Sequence, residues 1–340
     1  MRHSSADTAG SLTAAIVGFG QMARFGHLPW FERTDLVRLV AVVDPCAEAR
    51  ALARALRPAV AVHATLPDLL DSERPVFVDI VSPPAAHAGS IVNALASGIH
   101  VFCEKPFVTS IEALAEIDRR RRASGLLVAA CHNWYFAPAI SRALELFERK
   151  SIGDALSLTF TAERVRAPAG APYGKRAWRL SAAEGGGIIG DLGYHGFYLA
   201  NRVMGGRPAA VRVLASVAGP HMDSAENHAS IELTYSGGRV ATVELSWGAP
   251  IKRTEVRIVG RSGTIVLDND ELRMRAAGGE TLERFSSLVA DSWHAAWTDG
   301  ALNGFVDALR NGEYEPAWQD IDGAVTALCA SLSQVRAAQT

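Results

Sequence analysis

The sequence predicts an α/β fold in two parts: an N-terminal doubly wound parallel sheet and a C-terminal α+β domain with a large open, mostly antiparallel sheet. Three observations predict it. From Leu12 to Cys131, short and continuously apolar runs alternate with apolar-striped helical segments, the pattern of a parallel sheet covered on both faces. A glycine-rich turn sits between the first such strand and the first helix. After Ala209, strand-like runs succeed one another without intervening helices, which requires antiparallel neighbours. With 340 residues the chain exceeds one ordinary core, so two domains are expected.

Taken in order, Leu12–Val17 is the first strand and a helix spans Met22–Phe31. The strand Val37–Val43 precedes a helix near Ala47–Leu56, and Val60–His63, Phe77–Val81, Ile99–Phe102 and Leu126–Ala130 are further strands. Helices at Ala85–Ser97 and Ile111–Ala123 separate the last three, with Thr109 and Glu112 at the spacing of a capping box. Ala137–Arg149 is helical, and a Gly-, Pro- and Arg-rich stretch runs through Arg164–Arg179. A helix near Ile188–Val203 leads into strands Ala209–Ala218, Ala229–Thr234, Val240–Trp247, Thr254–Val259 and Thr264–Leu267. Gly237-Gly238 is a hairpin turn between two of them. Helices around Trp293–Arg310 and Ile321–Ala337 close the chain. The organisation expected is a loose terminus over 1–11, a first domain over 12–131 and a second over 132–340. The consecutive strands leave few helices to cover an apolar sheet face, so that face predicts a homodimer or homotetramer.

Composition narrows the function classes. A net charge of −2 gives no reason to expect a nucleic acid as partner. The four cysteines form no CxxC pair and no metal-like spacing with histidine, so neither a disulfide scaffold nor a metal centre is expected, and a reducing cytoplasm is the simpler setting. The first eleven residues lack the apolar centre of a signal peptide, and no apolar run approaches membrane-spanning length, so a soluble protein is expected.

The turn Gly18-Phe19-Gly20-Gln21-Met22-Ala23 is the GxGxxA form of the dinucleotide fingerprint. Its first glycine permits the tight turn, its second lets pyrophosphate approach the backbone, and Ala23 allows close helix–strand packing. The phosphates would lie on the N–H groups of the following helix. Asp44 ends the second strand, where an acid meets the adenosine ribose; Asp44-Pro45 also reads as an N-cap followed by a helix-opening proline. An acid there repels a 2′-phosphate, and no arginine follows within five residues, which favours NAD over NADP.

Two further segments carry chemistry. Glu104-Lys105-Pro106 follows the Ile99–Phe102 run, at the strand end where nicotinamide and substrate would meet; Lys105 can hydrogen-bond a hydroxyl or assist proton transfer, or be an ordinary surface lysine. In Gly185-Gly186-Gly187-Ile188-Ile189-Gly190-Asp191-Leu192-Gly193-Tyr194-His195, Asp191 and His195 are four apart and share a helix face that Tyr198 continues. His195 can take a proton near neutral pH, with Asp191 orienting its ring or binding a hydroxyl. A bare D-x3-H pair is more often a surface helix pair.

In this order and spacing, the fingerprint, the Glu104-Lys105-Pro106 tripeptide and the GGG-x3-D-x-G-x-H segment resemble the Gfo/Idh/MocA oxidoreductases. Ser82-Pro83-Pro84-x-x-His87 fits the same pattern. The resemblance covers nearly the whole chain from Leu12. It implies a Rossmann domain plus an α/β domain whose open sheet makes dimer or tetramer contacts. It implies Lys105, Asp191 and His195 as the catalytic set, Ser82, Pro83, His87 and Glu104 near the cofactor, and a cis Lys105-Pro106 bond. His132-Asn133-Trp134-Tyr135 occupies a place that often touches cofactor or substrate, with Asn133 as the cofactor contact. Trp134-Tyr135 departs from the arginine-containing variants of some members, which leaves the substrate subclass open.

Tyr173, Lys175, Arg176 and Trp178 lie in a loop that could cover a substrate, Trp178 offering a stacking face; packing or a solvated loop is the plainer account of each. His221 and His228 read as a loop and a strand histidine without partners. The expected activity is hydride transfer between NAD and a secondary hydroxyl of a sugar or cyclitol. The alternatives are an enzyme that keeps NAD bound for transient oxidation and a dinucleotide-binding sensor without turnover.

Overall fold

The computed structural model describes residues 11–166, 178–182, 186–218, 225–290, 293–312 and 316–339, with Trp178, Pro316, Ala317 and Gln339 as backbone only. The first layer is a six-stranded sheet. Its strands are β1 (Leu12–Val17), β2 (Val37–Val43), β3 (Ala61–His63), β4 (Phe77–Ile80), β5 (His100–Cys103) and β6 (Val128–Ala130). All pair in parallel in the order β3-β2-β1-β4-β5-β6, so the order reverses between β1 and β4 and opens a crevice beyond their C-terminal ends. Alternate residues face opposite covered sides: Ala14 and Ile16 enter one apolar cluster, Ala15 and Val17 the other.

The helices around this sheet differ from expectation in instructive places. The helix after the glycine turn opens with a π-helical turn, Ala23–His27, before running into α1 (Leu28–Arg33); Pro29, which has no N–H to give to the preceding turn, sits just past the junction. In α2 (Ala47–Leu56) the N-cap is Cys46, so Asp44 does not cap the helix and Pro45 does not open it. The unanticipated α3 (Leu66–Ser72) starts from a true capping box between Thr65 and Asp68. A 3₁₀ turn, Pro84–Ala86, precedes α4 (His87–Ala96). The cap of α5 (Ile111–Ser124) is Ser110, whose hydroxyl accepts from Ala113 and donates to Glu112; the Thr109 capping box does not form.

The second layer is an eight-stranded sheet in the order β14-β13-β12-β11-β7-β10-β9-β8. It comprises β7 (Ala155–Arg164), β8 (Ala210–Ala218), β9 (Glu226–Thr234), β10 (Val240–Trp247), β11 (Arg253–Gly260), β12 (Gly263–Asp268), β13 (Glu271–Ala276) and β14 (Gly279–Arg284). Every pairing is antiparallel except β7 with β10. Gly237 and Gly238 make the β9–β10 turn with φ of 74° and 73°. One face is apolar and buried, through Leu158, Phe160, Ile231, Val243, Leu245, Val256 and Ile258. Against it lie α6 (Pro138–Glu148), α7 (Tyr194–Met204) and α9 (Pro316–Gln339). The helices therefore do cover the apolar face. The opposite face carries half-buried Ser157, Thr159, Thr161, Ser230, Glu232, Thr242 and Glu244, so the expectation of an uncovered apolar face is corrected.

The remaining helix, α8 (Ala295–Asn311), returns to the first layer. Leu302, Phe305 and Val306 pack with Phe77 and Phe102 from β4 and β5, the ring centroids of Phe305 lying 5.1 and 5.3 Å from theirs. A boundary at 131/132 thus separates the two sheets but not the packing.

Candidate active site

The glycine turn is built for close approach. Gly18 has φ +95°, and a Cβ there would come within 2.7–2.9 Å of the Val81–Ser82 backbone, so no other residue fits. A Cβ on Gly20 would meet nothing within 4 Å, which leaves open space on the side where a pyrophosphate would lie. Gln21 is exposed and Met22 half-buried, whereas the Phe19 ring is buried in the core and only its backbone faces the turn. Asp44 accepts from Phe19 N–H and Cys46 N–H, both at 2.7 Å, and so ties the β2 end to the glycine turn. Arg50, the sixth residue after Asp44, folds back to donate to the carbonyls of Asp44 and Pro45.

Two polar atoms near this crevice are buried without a partner: Ser82 Oγ and Asn133 Oδ1. Sealed polar atoms without partners are costly, and both belong to residues that the sequence assigns to the cofactor. With the glycine cradle, they fit a dinucleotide. Pro83 is exposed beside Ser82. His87 is different. Its ring is fully buried and bracketed by the carbonyls of Ser82, Pro106 and Phe107 at 2.8–3.1 Å, so it clamps the Ser82 turn to the Lys105-Pro106 turn rather than reaching a ligand.

Below the Lys105 turn lies a charged cluster that the sequence did not reveal. His27, from the π-helical turn, contacts Asp79 Oδ2 at 2.8 Å and Glu104 Oε1 at 3.1 Å, and all three are buried. Burial alone would push the imidazole down, but the flanking carboxylates overturn it and hold His27 well above its ordinary value. Glu104 also accepts the N–H of Lys105 at 2.9 Å. Potential metal-ligand atoms of His27, Glu104 and Cys131 lie within 4.8 Å of one another. Both ring nitrogens of His27 are already engaged, and burial pushes the Cys131 thiol up to about 12, so hydrogen bonds account for the cluster.

Lys105 precedes a cis peptide bond to Pro106 and projects from the end of β5 towards the second domain. Its ammonium donates to the Asp191 carbonyl at 2.7 Å and reaches Asp191 Oδ1 at 3.3 Å. Asp191 lies in a second π-helical turn, Ile189–Gly193, that runs into α7. Arg179 donates to the same carboxylate oxygen at 3.0 Å. Burial opposes the charge of Asp191, but Lys105 and Arg179 more than offset it and bring its carboxyl down to about 2. Upstream, Gly187 (φ +106°) packs where a Cβ would fall 2.2 Å from Glu226 Oε1, and that carboxylate accepts from Ile189 N–H. The glycine thus makes room for a protein carboxylate that braces the turn.

His195 is 3% exposed and takes its orientation from groups other than Asp191. Its Nδ1 lies 2.9 Å from the Tyr198 hydroxyl, and its ring stacks on Trp134 at 4.5 Å and 17°. Burial, then the positive charge of Lys105, with a further contribution from Arg164, drives His195 well below the usual histidine value. Arg164, at the end of β7, is a site residue missed in the sequence; it donates to the carbonyls of Glu163 and Arg253 and to Thr254 Oγ1. Tyr173, Lys175, Arg176, Gly185, His221 and the side chain of Trp178 lie outside the described residues. His228 is a half-buried residue of β9.

Comparison with known proteins agrees with this architecture. Residues 12–132 match the model of the oxidoreductase family with an NAD-binding Rossmann fold, and 140–266 match the C-terminal domain model of the same GFO/IDH/MocA family. D-glucoside 3-dehydrogenase of Escherichia coli is 30% identical over 202 residues, which cover 59% of this chain and 56% of that one. 1,5-Anhydro-D-fructose reductase of Ensifer adhaerens is 26% identical over 258 residues, or 75% and 74% of the two chains. The chain spans about half the length of several curated relatives it matches. A levoglucosan dehydrogenase solved with NADH and levoglucosan has the same fold, with a TM-score of 0.81 at 19% identity over 97% of this chain and 98% of that one. No helix among the described residues is long and apolar enough to cross a membrane.

Proposed function

The chain belongs to the Gfo/Idh/MocA oxidoreductase family, and from that premise we propose that it transfers a hydride between a nicotinamide dinucleotide and a secondary hydroxyl or keto group of a sugar, cyclitol or sugar derivative. The observation that carries the reading is the meeting of Lys105, from the cofactor sheet, with Asp191, from the second domain, one helical turn before His195. A bound nicotinamide would supply or accept the hydride there. Gly18, Gly20 and the start of the following helix would hold its pyrophosphate, with Ser82, Asn133 and Glu104 lining the remainder. Lys105 and His195 would contact the reacting oxygen, and Asp191 would hold Lys105 in place.

NAD is the favoured form, because the Asp44 carboxylate at the ribose position repels a 2′-phosphate. Arg50 supports only the neighbouring carbonyls and sits close enough to make the preference moderate. Asp44→Ala should narrow the ratio of NAD to NADP affinities. We also assign the polar open face of the eight-stranded sheet to contact with a second copy, an assignment that a stable monomer by light scattering would overturn. The decisive experiment is a screen for NAD reduction over sugars, inositols, uronates and amino sugars. Turnover of one class is the expected result; tight NAD binding with no turnover of any would favour a sensor.

A further inference from the structure

We propose that Tyr198 holds His195 as the neutral tautomer with its proton on Nε2, so that His195 donates a hydrogen bond to the reacting oxygen and Lys105 handles the proton. The count of hydrogens around the Tyr198 oxygen decides the tautomer. The Tyr198 hydroxyl is fully buried; its oxygen accepts the Trp134 N–H at 3.2 Å and lies 2.9 Å from His195 Nδ1. The remaining surroundings are aromatic: His132 is stacked on the tyrosine ring at 4.1 Å, Tyr135 edge-on at 4.8 Å. Among the described residues, His195 Nδ1 is the one acceptor within reach of the hydroxyl hydrogen. If Nδ1 carried a proton, the oxygen would receive two N–H bonds and its own hydrogen would be sealed away unpaired. That arrangement is disfavoured by about ten- to a hundredfold.

The same count rejects the imidazolium, which needs a proton on Nδ1. Lys105 from the β5 end, Arg164 from β7, His132 beyond β6 and His294 before α8 all face the ring and oppose a positive charge on it. Asp191 is committed to Lys105 and Arg179. Among the described residues the hydrogen bond of the ring is made at Nδ1, which leaves Nε2 as the ring atom for a ligand. In the reduction direction, the carbonyl oxygen gains the electron pair released as hydride reaches the carbon. It takes its proton from the Lys105 ammonium, which becomes an amine. The His195 Nε2–H bonds that oxygen throughout and keeps its proton; oxidation is the reverse. This division of labour rests on the hydride-transfer reading, whereas the tautomer stands on the hydrogen bonds alone.

The test is nitrogen-15 NMR of the histidine-labelled protein without cofactor, with the His195 signals assigned by their loss in His195→Gln. The expected spectrum has Nδ1 as a bare acceptor and Nε2 protonated, unchanged from about pH 5.5 to 8. A proton on Nδ1, or an imidazolium at pH 6, would overturn the proposal. Tyr198→Phe should abolish the tautomer bias, so that both neutral tautomers appear, and lower kcat about tenfold with KM for the cofactor unchanged. An unaltered His195 spectrum in Tyr198→Phe would also overturn it. If no substrate is turned over, the hydride-transfer reading fails while the spectrum still decides the tautomer.

Discussion

His27 and His195 are both buried histidines, each beside Lys105 or its neighbour, yet one is charged and the other is neutral. His27 sits between Asp79 and Glu104 and is held as the imidazolium. His195 sits on Trp134 and Tyr198, with the cations Lys105 and Arg164 close by, and is held neutral. Burial is the same in both and favours the neutral ring in both. What differs is the company: two carboxylates add more than burial removes, whereas a phenol adds nothing that a charged ring can use. Protonation in this protein therefore follows the partners of a histidine, and the site uses one as fixed charge and the other as a neutral donor.

The largest effect should come from breaking the first region. His27→Gln leaves Asp79 and Glu104 facing one another without a cation and should cost about 3–5 kcal/mol of unfolding free energy, measured by chemical denaturation. A loss under about 1 kcal/mol would mean that the cluster is not ionised as described. The effect has a sign in pH. A raised folded-state value gives stability that is complete below about 6.5 and disappears as pH rises through the folded value, so the deficit of the variant should shrink as pH rises through that value.

Next in size is Lys105→Met, which should cut turnover by about 10²–10⁴-fold and leave cofactor affinity broadly intact. It also sharpens the comparison, because Lys105 is one of the charges that depress His195. The titration of His195 should move upward in this variant while His27 stays protonated; a near wild-type rate would return Lys105 to a structural role.

The smallest effect concerns the rate profile of the wild type. A histidine near its ordinary value would give an oxidation rate rising through neutrality. With His195 held well below that value, the ring contributes no ionisation between about pH 6.5 and 8, and its limb belongs in acid. The corresponding stability is present above about 6.5 and is lost as pH falls towards the folded value, by at most about 1.4 kcal/mol per pH unit. His195→Gln should flatten that acid slope. A limb near pH 7 that vanishes in His195→Gln would contradict the neutral-ring description.

The sequence displayed the cofactor half of the molecule well because its signals are local. The apolar runs of β1, β4 and β5 are strands buried on both faces, and the glycine turn sits beside the residues it serves. The second sheet was less legible. Its central strand β7, Ala155–Arg164, mixes serine and threonine with apolar residues because one face meets water, and the sequence reading assigns no strand there. β13 and β14, at one end of the sheet, are largely charged and offer no apolar run. His27 was invisible for another reason: its partners are 52 and 77 residues away, and no spacing announces them. Tyr198 was on the recognised helix face, but that its hydroxyl would take the place beside His195 intended for Asp191 depends on a π-helical turn that shifts the register.

The return of α8 to the first sheet bears on how the protein is made. The aromatic face of β4 and β5 exists once residues 77–102 are synthesised, but Phe305 and Leu302, which close it, come some two hundred residues later. Burying an aromatic side chain of that kind contributes about 1.5–3 kcal/mol, so the dinucleotide-binding layer leaves the ribosome unfinished and its last wall arrives after the whole second sheet. A nascent chain stalled before α8 presents an exposed apolar surface to chaperones, and a gene fragment ending at residue 131 encodes a cofactor domain that lacks part of its own core.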